Sequence, residues 1–469
     1  MLFNISYFIF ILLISSIFSY LCFPLYNENN NFTSSDTPKE LFEKLINPKP
    51  YILVNLGSEN TTVKTYLSLD RYEFMIAGKN IINHKYNESN SKSYNCSYCK
   101  SKELYYGWYS EGILSTEDFN IKNENNNTNI FHGIKFILGT KSIFKEPPEG
   151  FIGLHLPFYD SDIEYNFIIS LKKAKAINSY YWYLNYDNES KLIVDGFPHN
   201  LNNKKYNSER FIETNTLNGG YYMIWALEFI DIYYNNSENS LLSDEHKIAN
   251  IQFDYGLIMA PIEVINYLDK LFFEEYYKNN ICFKDNLGDY KEIFIYCKNI
   301  KELNITKFKS IYFKNIYLNT TFELNYEDLF YFNGDYVYFL ILFKGKSWSV
   351  GELFLKKYNL VFNQDKKTIG YYQDIIEKEK SNEKTDGNSN GNSNENSNEN
   401  LNENNKFEFK SILTIILLVL ILISIIIVGI VLYNKKGNRK NRANEMDDNY
   451  EYTSSINDNK DGKDKILDN

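Results

Sequence analysis

Apolar and polar residues alternate along much of the chain between Tyr51 and Tyr372, and this pattern predicts a protein built mainly from β-strands. The apolar run that starts at Tyr51 closes at Gly57, and the alternate positions from Val63 to Leu69 then share one face of a second strand. Another alternating region runs from Phe308 to Phe343. Apolar residues at helical spacing from Glu263 to Phe272 predict a helix there.

Two apolar segments near the ends of the chain predict a secreted, membrane-anchored protein. Residues 1–19 contain an apolar run from Phe8 to Phe18 followed by Ser19, as in a signal peptide, although no Lys or Arg precedes the run. The 22 residues from Ile412 to Tyr433 carry no charge and are long enough to cross a hydrocarbon core about 30 Å thick. Lys and Arg residues follow directly, which predicts that the tail, 434–469, is cytoplasmic. These flanks favour a single-pass type I membrane protein, with a luminal or extracellular ectodomain, over a buried core helix.

Composition divides the rest of the chain into three parts. Residues 20–50 are interpreted as a short polar N-terminal segment, and 51–376 as the folded region. Residues 377–409 are rich in Asn, Ser and Glu with hardly an apolar residue, so they predict a disordered stalk. The net charge of -10 is spread along the chain rather than gathered into basic clusters, which argues against a nucleic-acid partner.

The cysteines predict disulfides in an oxidising compartment. Cys22 lies near the end of the predicted signal peptide, which leaves Cys96, Cys99, Cys282 and Cys297, and four cysteines allow three pairings. The local pairing joins the first two and the last two. A metal half-site or a redox motif is the alternative for the Cys-x-x-Cys pair, but no second pair and no nearby His accompany it, so no metal and no cofactor is predicted. Asn-x-Ser/Thr sequons fit a glycosylated ectodomain at Asn31, Asn60, Asn87, Asn95, Asn126, Asn188, Asn235, Asn304 and Asn319.

Four motifs stand in order along the folded region. The stretch from Tyr105 to Ile121 contains Tyr-Tyr-Gly-Trp-Tyr-Ser-Glu-Gly-Ile-Leu, and the stretch from Glu149 to Leu154 reads Glu-Gly-Phe-Ile-Gly-Leu. The stretch from Ala249 to Pro261 reads as a strand, a turn, an apolar run and a proline. The stretch from Trp348 to Tyr371 begins Trp-Ser-Val-Gly-Glu-Leu-Phe-Leu-Lys-Lys-Tyr and ends Ile-Gly-Tyr.

These motifs resemble those of the pepsin-like aspartic peptidases, which carry Tyr-Gly-x-Gly-Ser-x-x-Gly-Ile-Leu, Asp-Gly-Ile-Leu-Gly-Leu and Trp-x-Leu-Gly-x-x-Phe-Leu-x-x-Tyr. The resemblance covers about Tyr51 to Tyr372 and implies a mainly β, bilobal fold. Its two lobes, about 51–185 and 186–376, would be related by a pseudo-twofold axis. It also implies an interlobe cleft for a peptide or protein ligand beneath a hairpin flap. Tyr105 or Tyr106 would contact that ligand, and a plain surface hairpin is the alternative.

Both catalytic motifs of the family are altered in this chain. Residues 68–70 and 252–254 read Ser-Leu-Asp and Gln-Phe-Asp where the family has Asp-Thr-Gly. Ser68 and Gln252 therefore occupy the positions of the two catalytic aspartates. Neither side chain titrates between acid and neutral pH, so the two cannot share a proton and activate a water molecule as paired carboxylates do.

The resemblance thus leaves different classes of function open. The first hypothesis is a catalytically degenerate homologue whose ectodomain binds a peptide or a protein partner. The alternative is an active membrane-bound aspartic endopeptidase that uses Asp70 and Asp254, because a shift of two residues preserves the facing of a strand. Arg71 would then place a cation beside the carboxylate pair. A purely structural role with no ligand in the cleft is also open.

Overall fold

The computed structural model describes most of the chain between Tyr20 and Gln373. The described residues are 20–29, 32, 36–69, 71–82, 84–96, 99–104, 109–122, 128–156, 163–187, 189–219, 222–235, 240–241, 248–288, 292–298 and 301–373. The predicted signal peptide, the predicted stalk and the predicted membrane span Ile412 to Tyr433 lie outside them. Within these ranges, no helix is both long enough and apolar enough to cross a membrane.

The described chain is mainly β-strand, as the alternating pattern predicts. The first half contains β1 (Leu21–Pro24), β2 (Tyr26–Asn27), β3 (Pro50–Leu56), β4 (Thr61–Ser68), β5 (Phe74–Ala77), β6 (Asn95–Cys96), β7 (Lys102–Glu103), β8 (Tyr109–Lys122), β9 (Thr128–Ser142), β10 (Gly150–Gly153), β11 (Tyr181–Asn185) and β12 (Lys191–Val194). The second half contains β13 (Phe211–Asn215), β14 (Asn218–Gly219), β15 (Tyr222–Met223), β16 (Ala226–Glu228), β17 (Asp231–Tyr234), β18 (Ile248–Ile251), β19 (Ile258–Ala260), β20 (Cys282–Leu287), β21 (Glu292–Lys298), β22 (Ile311–Asn315), β23 (Thr320–Leu324), β24 (Phe330–Asn333), β25 (Tyr336–Phe343), β26 (Trp348–Val350), β27 (Val361–Asn363) and β28 (Thr368–Tyr372).

The helices of the described chain are short. They are α1 (Pro38–Ile46), α2 (Phe167–Lys173), α3 (Pro198–Leu201), α4 (Val264–Leu268), α5 (Glu274–Lys278), α6 (Tyr326–Leu329) and α7 (Glu352–Lys357). A π-helical turn, Asp269–Phe273, joins α4 to α5, so the helix predicted from Glu263 to Phe272 is present but is not regular. Short 3₁₀ turns lie at Glu88–Asn90, Ile163–Tyr165, Ser208–Arg210 and Ile305–Lys307.

Two four-stranded units have the same topology. In the first unit the neighbours are β4, β10, β5 and β9, and in the second they are β18, β26, β19 and β25. In each unit the first two strands are parallel, the middle two are antiparallel and the last two are parallel. A short helix follows the second neighbour in both units, α2 after β10 and α7 after β26. The described chain therefore contains one arrangement twice.

A six-stranded sheet combines strands from both halves of the chain. Its order is β1, β12, β11, β27, β28, β13, so the two hairpins β11–β12 and β27–β28 meet at its centre. The central pair is antiparallel, with Trp182 directly opposite Phe362. Each half contributes one hairpin and one edge strand, and the sheet reads the same from either edge.

Buried aromatic side chains pack together at the central strands of this sheet. The Trp182 ring stacks on Phe362 at 4.3 Å between centroids, and Trp225 meets both of these rings edge-on. The Trp225 indole N–H donates to the Leu154 carbonyl at 2.8 Å, and that of Trp182 donates to the Gln364 side chain at 3.1 Å. Both indole N–H groups are thus satisfied although both rings are buried.

Candidate functional site

Ser68 and Gln252 occupy equivalent positions in the two four-stranded units. Ser68 lies opposite Gly153 where β4 ends beside β10. In the other unit Ile251 lies opposite Val350, and Gln252 is the next residue, with its backbone N–H donating to the Val350 carbonyl at 2.9 Å. The spacing argument from the sequence and the strand register therefore select the same pair of residues.

The turns that follow these two residues are equally long. Five residues separate Ser68 from the first residue of β5, and five separate Gln252 from the first residue of β19. Asp254 is the second residue of its turn, and Asp70 stands at the same place in the other turn. Asp70 lies outside the described residues, and the Asp254 Oδ1 atom is buried.

One glycine packs against each turn. A Cβ atom added to Gly153 would lie 2.6 Å from the carbonyl oxygens of Arg71 and Glu73. A Cβ atom added to Gly351 would overlap the carbonyl oxygens of Tyr255 and Leu257. No side chain fits at either position, because the turn backbone occupies the space that a Cβ atom needs.

Leu69 follows Ser68, Phe253 follows Gln252, and both belong to the core. Leu69 is 3% exposed, and Phe253 is fully buried with its ring 6.3 Å from that of Trp182. Ser68 and Gln252 are each half-buried. The positions at which the resemblance predicts a polar Thr thus hold apolar side chains that stabilise the interior.

The N-terminal helix contacts the second turn, a feature that sequence reasoning missed. The Gly256 N–H donates to the Ile46 carbonyl at 2.8 Å, at the C-terminal end of α1. A Cβ atom at Gly256 would overlap the Leu45 carbonyl oxygen. Residues 20–50 are therefore more than the short polar N-terminal segment predicted from the sequence, since they contain a helix that contacts one of the two candidate site turns.

An apolar cluster holds α1 against the second unit. Leu41, Phe42 and Ile46 are buried there together with Leu257 and Met259 of the turn and of β19. The cluster also includes Leu287, Phe294, Tyr338 and Leu342, and the Phe42 and Phe294 rings stack at 4.4 Å. The sequence Thr37-Pro-Lys-Glu40 indicates this helix. The Thr37 and Glu40 side chains form a capping box, and Pro38 is the first residue of the helix.

A buried carboxylate lies directly behind the second turn. Glu352 is 3% exposed, and its backbone N–H donates to the Tyr255 carbonyl at 2.7 Å. Its side chain accepts a hydrogen bond from Asn27 at 3.1 Å and pairs with Lys356 at 2.8 Å. Burial, and then the nearby Glu352 charge, raise the pKa of the Tyr186 hydroxyl. Glu352 is therefore held in an ion pair behind the turn.

The predicted flap coincides with a hairpin stem. Lys102 pairs with Gly112 and Glu103 with Glu111, and the Leu104 N–H donates to the Ser110 carbonyl at 2.8 Å. Tyr105 and Tyr106 fall between these paired positions and lie outside the described residues. A hairpin is thus present where the motif predicts one.

Tyr109 anchors this hairpin at its loop end. Its ring is fully buried and stacks on Phe151 of β10, and its hydroxyl donates to the Pro148 carbonyl at 2.5 Å. Burial, with a smaller effect of the Glu149 charge, raises the pKa of the Tyr109 hydroxyl. The hairpin therefore packs against β10, which belongs to the same four-stranded unit as β4, the strand that ends at Ser68.

The predicted local disulfides are confirmed. Cys96 bonds to Cys99, and Cys282 bonds to Cys297. The second pair joins directly opposite residues of β20 and β21. These two bonds are the local pairing of the four cysteines. Cys22, in β1, is outside both bonds.

At the two strand ends, Ser68 supplies a hydroxyl and Gln252 supplies an amide. Asp254, two residues after Gln252, supplies a carboxylate. Such a set can hydrogen-bond to the backbone of an extended peptide, but its hydroxyl and amide cannot act as a proton-sharing acid and base. No model of a known protein family matches the chain, and no curated protein matches it either.

Proposed function

We propose that this protein is a divergent, pepsin-like ectodomain that is anchored in a membrane and binds a peptide or protein partner in the cleft between its two halves. The observation that carries the proposal is the equivalence of Ser68 and Gln252. Each ends a strand beside a required glycine, and each is followed by a turn of the same length in a unit of the same topology. The symmetric six-stranded sheet and the hairpin at Lys102–Glu111 are further support.

The proposed role is binding without catalysis. A pepsin-like mechanism needs two carboxylates that share a proton, with one acting as acid and the other as base. Ser68 and Gln252 lack that chemistry, and Leu69 and Phe253 are committed to the core. Membrane anchoring rests on the uncharged run from Ile412 to Tyr433.

One observation favours an active endopeptidase as a second candidate. Asp70 and Asp254 stand at the same place in two equally long turns, so the duplicated arrangement carries one carboxylate per unit. In that mechanism the two carboxylates would share a proton and activate a water molecule for attack on a peptide bond.

A cleavage assay separates the two candidates. The full-length protein in detergent is incubated with an unfolded protein substrate from pH 3 to 7, with and without pepstatin. Asp254→Asn is the test variant, and Asp335→Asn is the matched control because Asp335 is exposed. We expect no cleavage by any of the three proteins. Pepstatin-sensitive cleavage that is lost in Asp254→Asn and kept in Asp335→Asn would establish the endopeptidase instead.

A binding selection separates a ligand-binding ectodomain from a purely structural one. The immobilised full-length protein is offered a randomised pool of ten-residue peptides, and the retained peptides are sequenced. Enrichment of a common motif, lost when Gly112→Trp distorts the hairpin stem, supports a cleft ligand. A retained pool that is no different from the input contradicts it.

A further inference from the structure

A cavity of about 560 Å³ lies where the described chain ends, away from both site turns. Its wall combines the loop before β13 with β23, the end of α7 and the end of β28. Four cationic side chains line it, Lys204, Lys205, Arg210 and Lys357. The aromatic part of the wall consists of Tyr206, Tyr358, Tyr371 and Tyr372.

The charges around this cavity are unbalanced. Lys205 pairs with Asp187 at 2.8 Å, and Lys357 pairs with Asp328 at 2.5 Å. Lys204 and Arg210 form no ion pair within the described part of the chain. Glu323 also lines the cavity, but its carboxylate already accepts hydrogen bonds from Ser310 and Tyr312. Among the described residues, no carboxylate pairs with the two cations Lys204 and Arg210.

The chain leaves the folded region from the wall of the same cavity. The Gln373 N–H donates to the Arg210 carbonyl at 3.1 Å, and the Gln373 side chain donates to the Leu318 carbonyl at 3.3 Å. The next residues are Asp374-Ile-Ile-Glu377-Lys-Glu379. Gln373 is hydrogen-bonded to Arg210, and consecutive Cα atoms are about 3.8 Å apart. The chain therefore continues into Asp374 close to the Arg210 backbone.

We propose that residues 374–377 dock in this cavity, with Asp374 and Glu377 neutralising Arg210 and Lys204. The two isoleucines between these acids then pack on the tyrosine wall. Two or three extended residues span about 7–10 Å, which matches a cavity of about 560 Å³. Docking costs little loop-closure entropy because the segment is joined directly to the wall. The cavity thereby fixes the start of the predicted stalk to the folded region.

Hydrogen exchange on the full-length protein in detergent tests this proposal. We expect the amides of residues 374–377 to exchange at least tenfold more slowly than those of residues 385–400. Arg210→Glu is expected to remove that protection, and the charge swap Arg210→Glu with Asp374→Arg to restore most of it. Lys301→Glu is the matched control, because Lys301 is exposed and outside the cavity wall. The amides of β28 report in each variant that the domain is folded.

Two results would overturn the proposal. In one, residues 374–377 exchange as fast as residues 385–400 in the wild-type protein. In the other, the charge swap exchanges as fast as Arg210→Glu alone while β28 stays protected. Inorganic phosphate at 1–50 mM identifies the competing occupant. Docking predicts that phosphate raises the Tm of Asp374→Asn/Glu377→Gln but not that of wild type, whereas equal stabilisation of both means that the cavity takes a free anion.

Discussion

Substitution of Gly256 by Ala tests whether the N-terminal helix is an integral part of the second site turn. The new Cβ atom would overlap the Leu45 carbonyl, so α1 must withdraw by about an ångström or more. That movement breaks the 2.8 Å hydrogen bond from the Gly256 N–H to Ile46. It also loosens the packing of Leu41, Phe42 and Ile46 in their apolar cluster.

The expected cost follows from these contacts. The lost hydrogen bond is worth about 1 kcal/mol. Full exposure of the three apolar side chains would cost about 1.5–3 kcal/mol each, and a partial withdrawal forfeits a fraction of that. Release of the helix also regains conformational entropy, which limits the total. We therefore expect Gly256→Ala to lower the free energy of unfolding by about 2–4 kcal/mol, a large part of a typical stability of 5–15 kcal/mol.

Chemical denaturation and hydrogen exchange of the full-length protein measure the effect. Gly288→Ala is the matched control, because Gly288 has a φ of +60° but no atom within 4 Å of an added Cβ. Its cost is the left-handed backbone strain alone, about 1 kcal/mol. Exchange in α1 is expected to accelerate in Gly256→Ala and to stay unchanged in Gly288→Ala. Equal stability of the two variants, with unchanged exchange in α1, would refute the reasoning.

Three further predictions concern the core, a disulfide and an ion pair. Phe253→Thr removes a fully buried ring beside Trp182 and should destabilise the protein by about 3–5 kcal/mol in thermal denaturation, and a change below about 1 kcal/mol would contradict its role in the core. Cys282→Ser/Cys297→Ser opens a disulfide with a sequence separation of 15 and should cost about 3 kcal/mol, whereas an unchanged unfolding midpoint would show that the pairing of β20 with β21 suffices alone. Hydrogen bonds from Lys135 and Lys173 lower the pKa of Glu164 from 4.5 to about 2, so its contribution is complete above pH 4.5 and is lost as the pH falls towards 2. Glu164→Gln should therefore lower the free energy of unfolding at pH 7 by less than about 1 kcal/mol, because the ion pair is partly exposed. Near pH 2 the stability of the variant should match that of the wild type. The same deficit at both pH values would contradict that linkage.

Local patterns were sufficient to predict much of the fold. Alternation placed Val63, Thr65 and Leu67 on the buried face of β4, and the motif that starts at Trp348 runs through β26, α7, β27 and β28. The disulfides were predictable because their partners are near in sequence. Equivalence of Ser68 and Gln252 followed from spacing, and the strand register agrees with it.

Features that depend on distant residues were not predictable in the same way. Helix α1 presents only a few apolar residues, and the cluster that buries them comes from positions 257–342. A glutamate such as Glu352 is expected at the surface, because the sequence alone does not show that Asn27 and Lys356 bind its buried carboxylate. The cationic cavity likewise combines four separate stretches of chain. Such sites require the tertiary structure because no local period encodes them.

The central six-stranded sheet has a consequence for synthesis of the protein. Trp182 of β11 stacks on Phe362 of β27, which lies 180 positions further along the chain. At 5–20 residues per second, translation of that interval takes roughly 10–40 s. Throughout this time β11 has an unpaired strand edge, and the Trp182 ring lacks its stacking partner Phe362. The central sheet can therefore close only after β27 has been synthesised, so its completion comes at the end of folding.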